Sequence, residues 1–221
     1  MTGRGWRIAE ALCLLGGLTL LDLYIWSRAG AVISQAWENG MFERAIRQTP
    51  VPVPVQPKAR PQPPPRIPLG ALVGRLEVPR LGLKVMVKEG TDEDILARAV
   101  GHLPSSPVPG VPGNVAVAGH RDTFFRPLKD LRLHDRILFT TWQGRTFEYE
   151  VESEKIVRPT DVSVLQASAE PTLTLVTCYP FYYVGSAPKR FIARARQVAS
   201  EPPPMESASL RQQSAGKKPL D

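Results

Sequence analysis

The sequence predicts a mainly β domain of barrel or sandwich type, carried behind a helical N-terminal segment and a proline-rich linker. Three observations predict it. Short alternating or β-rich stretches recur through residues 69–199. Turn signals such as Pro109-Gly110, Pro112-Gly113 and Gln143-Gly144 separate them. Few windows in this region carry a helical period.

Taken in chain order, residues 1–30 open the molecule. The run from Ile8 to Trp26 is strongly apolar, interrupted by Glu10 and Asp22 near its ends. At the centre of a membrane helix an acid costs about 2.5–3.5 kcal/mol, and less near the interface. Trp6, Tyr24 and Trp26 are aromatics of the interfacial kind, and Arg4 and Arg7 favour a cytoplasmic N-terminus. Three readings of the run compete: a single-pass membrane anchor, a cleaved signal peptide ending at Ala29-Gly30-Ala31, and a buried core helix. The length of the run favours the anchor. So does the next segment, 31–49, which continues as an amphipathic helix. Residues 50–68 hold nine of the prolines, from Pro50 to Pro68. Such a run stays extended at about 3.1 Å per residue and forms a spacer.

The globular domain is predicted over 69–199. Strands are expected at Leu72–Val78, Val85–Lys88, Asn114–Ala118, Arg136–Thr141, Arg145–Val157, Thr172–Thr177 and Arg190–Val198. A short helix is expected at Thr91–Val100, with Thr91 as N-cap and Asp94 three residues on. A second is expected at Phe125–Leu131. Residues 200–221, rich in Pro, Ser and Gln, read as a disordered tail.

Composition narrows the function. The chain has 221 residues, 43% of them apolar, enough for one domain with a real core plus extra segments. The net charge is +7, but no run of five or more basic residues occurs. Nucleic-acid binding is therefore set aside in favour of a basic protein lying against an anionic envelope. With only Cys13 and Cys178, neither a disulfide framework nor a cysteine-rich zinc site is available.

Cys178 ends the strand pattern Thr172-Leu173-Thr174-Leu175-Val176-Thr177, just before Tyr179-Pro180. Strand ends deliver nucleophiles into clefts, yet free cysteines are also common core residues. Position alone does not separate the two. A nucleophilic thiol, with a free pKa of about 8.5, needs a base or cation beside it. Of the three histidines, His102 follows the short helix and His134 lies in a polar turn. His120 alone mirrors Cys178, ending the apolar strand Val115–Gly119. Acyl transfer also needs a fixed positive charge for the developing oxyanion. Arg190 opens the last strand; Arg121, Arg126, Arg194 and Arg196 compete with it, and the residue pattern does not choose among them. The order of His before Cys departs from papain-like proteases. Tyr179 after the cysteine departs from chymotrypsin-like ones.

Three segments in order resemble the sortase family. Val117-Ala118-Gly119-His120-Arg121-Asp122-Thr123 resembles its histidine motif, Thr174-Leu175-Val176-Thr177-Cys178 its TLxTC motif, and Lys189-Arg190-Phe191-Ile192 its arginine segment. The resemblance spans Leu69 to Val198. The run from Cys178 to Arg190 is most similar to class D members.

The resemblance implies an eight-stranded sortase-type β-barrel. It implies transpeptidation of a C-terminal LPxTG-like sorting signal, cleaved between Thr and Gly. The acceptor would be an amine, from a peptidoglycan precursor or a pilin-type lysine. Cys178 would be the nucleophile, His120 the acid and base, and Arg190 the oxyanion and substrate contact. Thr177 would bind substrate or oxyanion. The Asp-Pro-aromatic plug of lidded pilus-type members is replaced here by the proline-rich linker. The acidic calcium site of some class A members is not recognisable, so no metal and no cofactor are expected. A non-catalytic peptide-binding barrel and a simple hydrolase are the competing functions.

Overall fold

The computed structural model describes residues 3–48 and 67–198. Nearly all of the expected linker and all of the expected tail 200–221 lie outside the described residues.

Eight strands close a barrel: β1 (Leu72–Val78), β2 (Leu83–Glu89), β3 (Val100–His102), β4 (Asn114–Ala118), β5 (Arg136–Thr141), β6 (Thr146–Val157), β7 (Thr172–Tyr179) and β8 (Lys189–Gln197). Their order around the barrel is β1-β2-β3-β4-β7-β8-β6-β5. The β2–β3 and β4–β7 pairs are parallel and the other pairs antiparallel. Closure leaves no free sheet edge. Alternation does the rest. Val115 and Val117 of β4, Leu173 and Leu175 of β7, and Ala193 and Ala195 of β8 point inward and join Leu76, Val87, Phe139 and Tyr149 in one buried core.

The strand absent from the sequence expectation is β3. Three residues, Val100-Gly101-His102, are too few to show a period. Tertiary bonds make them a strand: Gly90 N–H donates to the His102 carbonyl at 2.8 Å, and Leu103 N–H to that of Ala116 at 2.9 Å. The approach demands glycine, because a Cβ on Gly101 would stand 2.2 Å from the Gly90 carbonyl oxygen. This pairing also shortens the expected helix at Thr91–Val100. The helix formed, α2, covers only Glu93–Leu96; its N-cap is Asp92, which makes no side-chain cap bond. The helix expected at Phe125–Leu131 is a 3-10 turn, Arg126–Asp130.

Before the barrel comes one continuous helix, Gly3–Gln48. By chain order this is α1. It runs through residue 30 without the division expected between an anchor and a separate amphipathic helix. Its leucines from Leu12 to Leu23 are exposed. Even so, among the described residues no helix is long and apolar enough to cross a membrane. Glu10 and Asp22, with Gly16, Gly17 and Thr19 between them, dilute the apolar run. The membrane-crossing helix expected over 1–30 is therefore not found.

The later part of α1 docks on the outer face of β1 and β2. Gln35 donates to the Arg98 carbonyl at 2.6 Å and accepts from Met86 N–H at 3.0 Å. Lys88 pairs with Glu38, and Arg75 with Glu43, each at 2.6 Å. Phe42 is buried beneath the Arg75 guanidinium, 5.1 Å from its ring centre. Met86, an outward-pointing residue of β2, is fully buried at the same time.

Candidate active site

Cys178 lies on β7 next to its last residue, and its Cα partner on β8 is Arg190. Directly opposed residues share a face, with Cβ atoms about 4.5–5.5 Å apart. On the other side of β7, the parallel ladder with β4 pairs Ala118 with Val176. One further ladder-type bond follows, from Gly119 N–H to the Val176 carbonyl at 3.1 Å. Carrying that register two residues on sets His120 level with Cys178. Register thus sets the turn residue His120, Cys178 of β7 and Arg190 of β8 at one level of the sheet. Ala118, Val176 and Ile192 form the row beneath it, a small apolar floor on the same outer face.

The turn carrying His120 is fixed from two sides. Thr177 donates its hydroxyl to the Gly119 carbonyl at 2.7 Å. Phe125 N–H donates to the His120 carbonyl at 3.0 Å, and the buried Phe125 ring lies against Gly119. A Cβ on Gly119 would meet Phe125 Cδ2 at 2.9 Å, so only glycine lets the strand end and the ring close together. Thr177 is 2% exposed and faces inward, like Leu173 and Leu175. Its hydroxyl bonds to the histidine turn, where the sequence reading expects a substrate contact; its face of β7 is opposite that of Cys178.

The His120 ring is 31% exposed, and its Nε2 lies 3.4 Å from Glu93 Oε1. Glu93 is 84% exposed, so water screens this pair and it constrains the ring weakly. The other histidines are engaged elsewhere. His102 is buried, its Nδ1 2.6 Å from Glu89 Oε2 and its Nε2 donating to the Pro107 carbonyl at 3.0 Å. His134 pairs with Glu150 at 2.9 Å.

Side-chain partners also separate the five arginines. Arg194 pairs with Glu152 and Arg196 with Glu150. Arg126 stacks on Tyr182, and Arg121 is bound to backbone carbonyls of the β7–β8 loop. Arg190 remains, opposite Cys178 in the β7–β8 ladder. Its Nη1 donates only to the carbonyls of Ala187 and Lys189, at 3.3 and 3.0 Å, which aim the guanidinium without neutralising it.

Residues 76–198 match the sortase domain family. The chain belongs to the sortase family. It is 40% identical over 130 residues to Sortase D of Bacillus subtilis, covering 58% of this chain and 65% of that protein. It is 32% identical over 112 residues to Sortase A of Listeria monocytogenes, covering 49% of this chain and 50% of that protein. The chain thus spans less than two thirds of either curated relative. Among solved structures it resembles a Clostridium perfringens Sortase D5 transpeptidase, at 29% identity and TM-score 0.54, covering 60% of this chain and 82% of that one. It also resembles Sortase A from Corynebacterium diphtheriae, at 31% identity and TM-score 0.56, covering 60% and 63%. This sortase is class D-like.

Sequence reasoning missed the part Arg121 plays beside His120, having named it only as a competing cation. It also missed Asn114, a buried amide at the start of β4, the end of the strand away from His120. Its Nδ2 donates to the carbonyls of Val164 and Gln166, both at 3.2 Å, pinning the β6–β7 connection. Its Oδ1 accepts from the hydroxyls of Thr174 and Thr172, at 2.6 and 3.3 Å. An asparagine opening an otherwise apolar strand was the available signal. Two clefts flanking Trp142, of ≈ 360 Å³ and ≈ 400 Å³, are lined by none of the site residues. The candidate site is defined by strand register, with His120, Cys178 and Arg190 each half-buried.

Proposed function

We propose that this sortase is a cysteine transpeptidase acting on a C-terminal LPxTG-like sorting signal. The observation that carries the reading is the register that pairs Cys178 with Arg190 and brings the turn after β4, with His120, to the same level. A thiolate in that row attacks the threonine carbonyl carbon of the signal. Arg190 holds the oxyanion as it forms, a role its opposite position in the ladder supports. Protonated His120 gives its proton to the glycine nitrogen as the carbon–nitrogen bond breaks, which leaves a thioester on Cys178. Neutral His120 then takes a proton from an incoming amine. That amine attacks the thioester, and the cysteine sulfur departs. The acceptor is an amine of a peptidoglycan precursor or a pilin-type lysine. Half-buried Ala118 and Val176, next to the site on the same face, suit an extended peptide with small or apolar side chains.

Membrane tethering, with the barrel outside the cytoplasm, belongs to the same proposal. It is supported by the exposed leucines of α1 and by Trp6 and Tyr24, which are also exposed. Carbonate washing of membranes distinguishes the modes of attachment: a spanning helix stays, whereas a helix lying in the interface is released.

The deciding experiment mixes the full chain with an LPxTG peptide and a glycine-based amine. A ligated product, with a thioacyl adduct on Cys178 seen by mass spectrometry, is the expected result. Equal product from the wild type and Cys178→Ala would sink the proposal.

A further inference from the structure

Residue 121 follows the candidate base, and its side chain reaches the loop that follows the candidate nucleophile. Arg121 Nη1 donates to the Pro180 carbonyl at 3.0 Å. Its Nη2 donates to the carbonyls of Tyr183 and Gly185, both at 2.9 Å. The guanidinium also lies 5.7 Å from the centre of the Tyr183 ring. Residues 180–188 join β7 to β8 and are largely exposed: Tyr182 is 70% and Val184 99% accessible. They make no backbone–backbone hydrogen bond of their own. Without an internal ladder, such a loop is ordered by what grips it from outside. Three of its carbonyls converge on one cation.

We propose that Arg121 is a positioning residue that locks the β7–β8 loop as a wall of the peptide groove and ties it to the turn bearing His120. The inference rests on the transpeptidase reading for its kinetic consequence, although not for the clamp itself. Arginine suits the task because its planar fork supplies several fixed donors at once. A lysine ammonium at the end of a flexible stem reaches one or two of the carbonyls. The loop's remaining restraints are weaker. Phe181 packs 5.4 Å from Phe191, Arg126 lies 5.8 Å from the Tyr182 ring, and Arg190 holds the Ala187 carbonyl.

The test compares wild type, Arg121→Ala and Arg121→Lys as full chains. The first readout is chymotrypsin nicking after Tyr182 or Tyr183, followed by mass spectrometry. The second is the kcat and KM of ligation, and the third is thermal stability. The alanine variant is expected to be nicked roughly tenfold faster and to raise the peptide KM about tenfold, as an unlocked wall loses ground-state and transition-state contacts together. The lysine variant should fall between, and Tm should move by no more than about 2 °C. Nicking at the wild-type rate overturns the clamp. An unchanged KM, or an activity loss that merely follows a fall in Tm, overturns the positioning role. If the wild type ligates nothing, the transpeptidase reading fails, and the nicking rates still decide the clamp.

Discussion

Cys178 and Arg190 face each other across the antiparallel β7–β8 ladder, as direct Cα partners on one outer face of the barrel. Backbone register holds the two residues at one level, and the carbonyls of Ala187 and Lys189 hold the guanidinium. Replacing Arg190 should therefore act on chemistry more than on folding. Arg190→Ala is expected to lower kcat/KM by about 10²–10³, the usual cost of an oxyanion donor, with Tm nearly unchanged. Arg190→Lys restores little of this, because a point charge on a different stem does not reproduce the fork. Steady-state ligation kinetics alongside thermal melts check both statements.

His120 depends on its turn as well as on its ring. His120→Gln removes proton transfer and should cost about 10²–10⁴ in kcat. Gly119→Ala leaves the ring in place but drives a methyl into Phe125. It should lower both kcat and Tm, which His120→Gln should not do to Tm. Measuring the two variants together separates loss of the base from loss of its support.

Thr177 offers a cleaner perturbation. Thr177→Val keeps the shape but strips the donor from the Gly119 carbonyl, leaving a buried acceptor unpaired. The expected loss is about 1–3 kcal/mol of stability in urea unfolding. A variant that loses affinity for peptide with no loss of stability would contradict the inward placement of this hydroxyl.

Asn114 carries two hydroxyls and two carbonyls. Asn114→Ala should destabilise the barrel by about 2–3 kcal/mol. It should also speed amide hydrogen exchange through the β6–β7 connection. Asn114→Asp should fare no better, because a carboxylate cannot donate to the carbonyls of Val164 and Gln166. Retained protection over residues 158–171 in either variant would show that the loop is held by other contacts.

Acid stability has an identifiable contributor. The Arg80 guanidinium holds the Asp135 carboxyl below its ordinary range, against the opposing effect of burial, and the Arg132 backbone N–H helps. The unfolded chain binds a proton at this site near pH 3.9, whereas the folded chain does so only at lower pH. The pairing's stability is thus fully present above about pH 4 and is lost as pH falls through the folded value. Asp135→Asn should flatten the acid limb of a stability-versus-pH curve, with its largest deficit near neutrality. A variant curve parallel to that of the wild type from neutral pH to below pH 4 would exclude this carboxyl.

Most of the barrel was legible because its strands carry their own pattern. In β4, β7 and β8 alternation separated an apolar inner set from an outer one, and Pro-Gly and Gln-Gly pairs marked breaks between strands. The elements that were misjudged are those with no local signature. Val100-Gly101-His102 is a strand only because Glu89 and Ala116 lie where they do. The helix at 91–100 was cut short by the same pairing.

The candidate site divides in the same way. By itself, the sequence determined that Cys178 and His120 end β-rich runs, and its motif order pointed to the sortase family. Residue pattern left five arginines on equal terms, because a guanidinium's role depends on its partners and linear spacing does not reveal them; the resemblance of Lys189-Arg190-Phe191-Ile192 to the sortase arginine segment singled out Arg190. The folded chain supplied what spacing could not: it pairs Arg194 and Arg196 with glutamates, sets Arg126 over Tyr182, commits Arg121 to the β7–β8 loop and leaves Arg190 opposite Cys178 in the ladder. Side-chain partners and strand register join residues that linear order keeps apart. Register emerges only when the barrel closes.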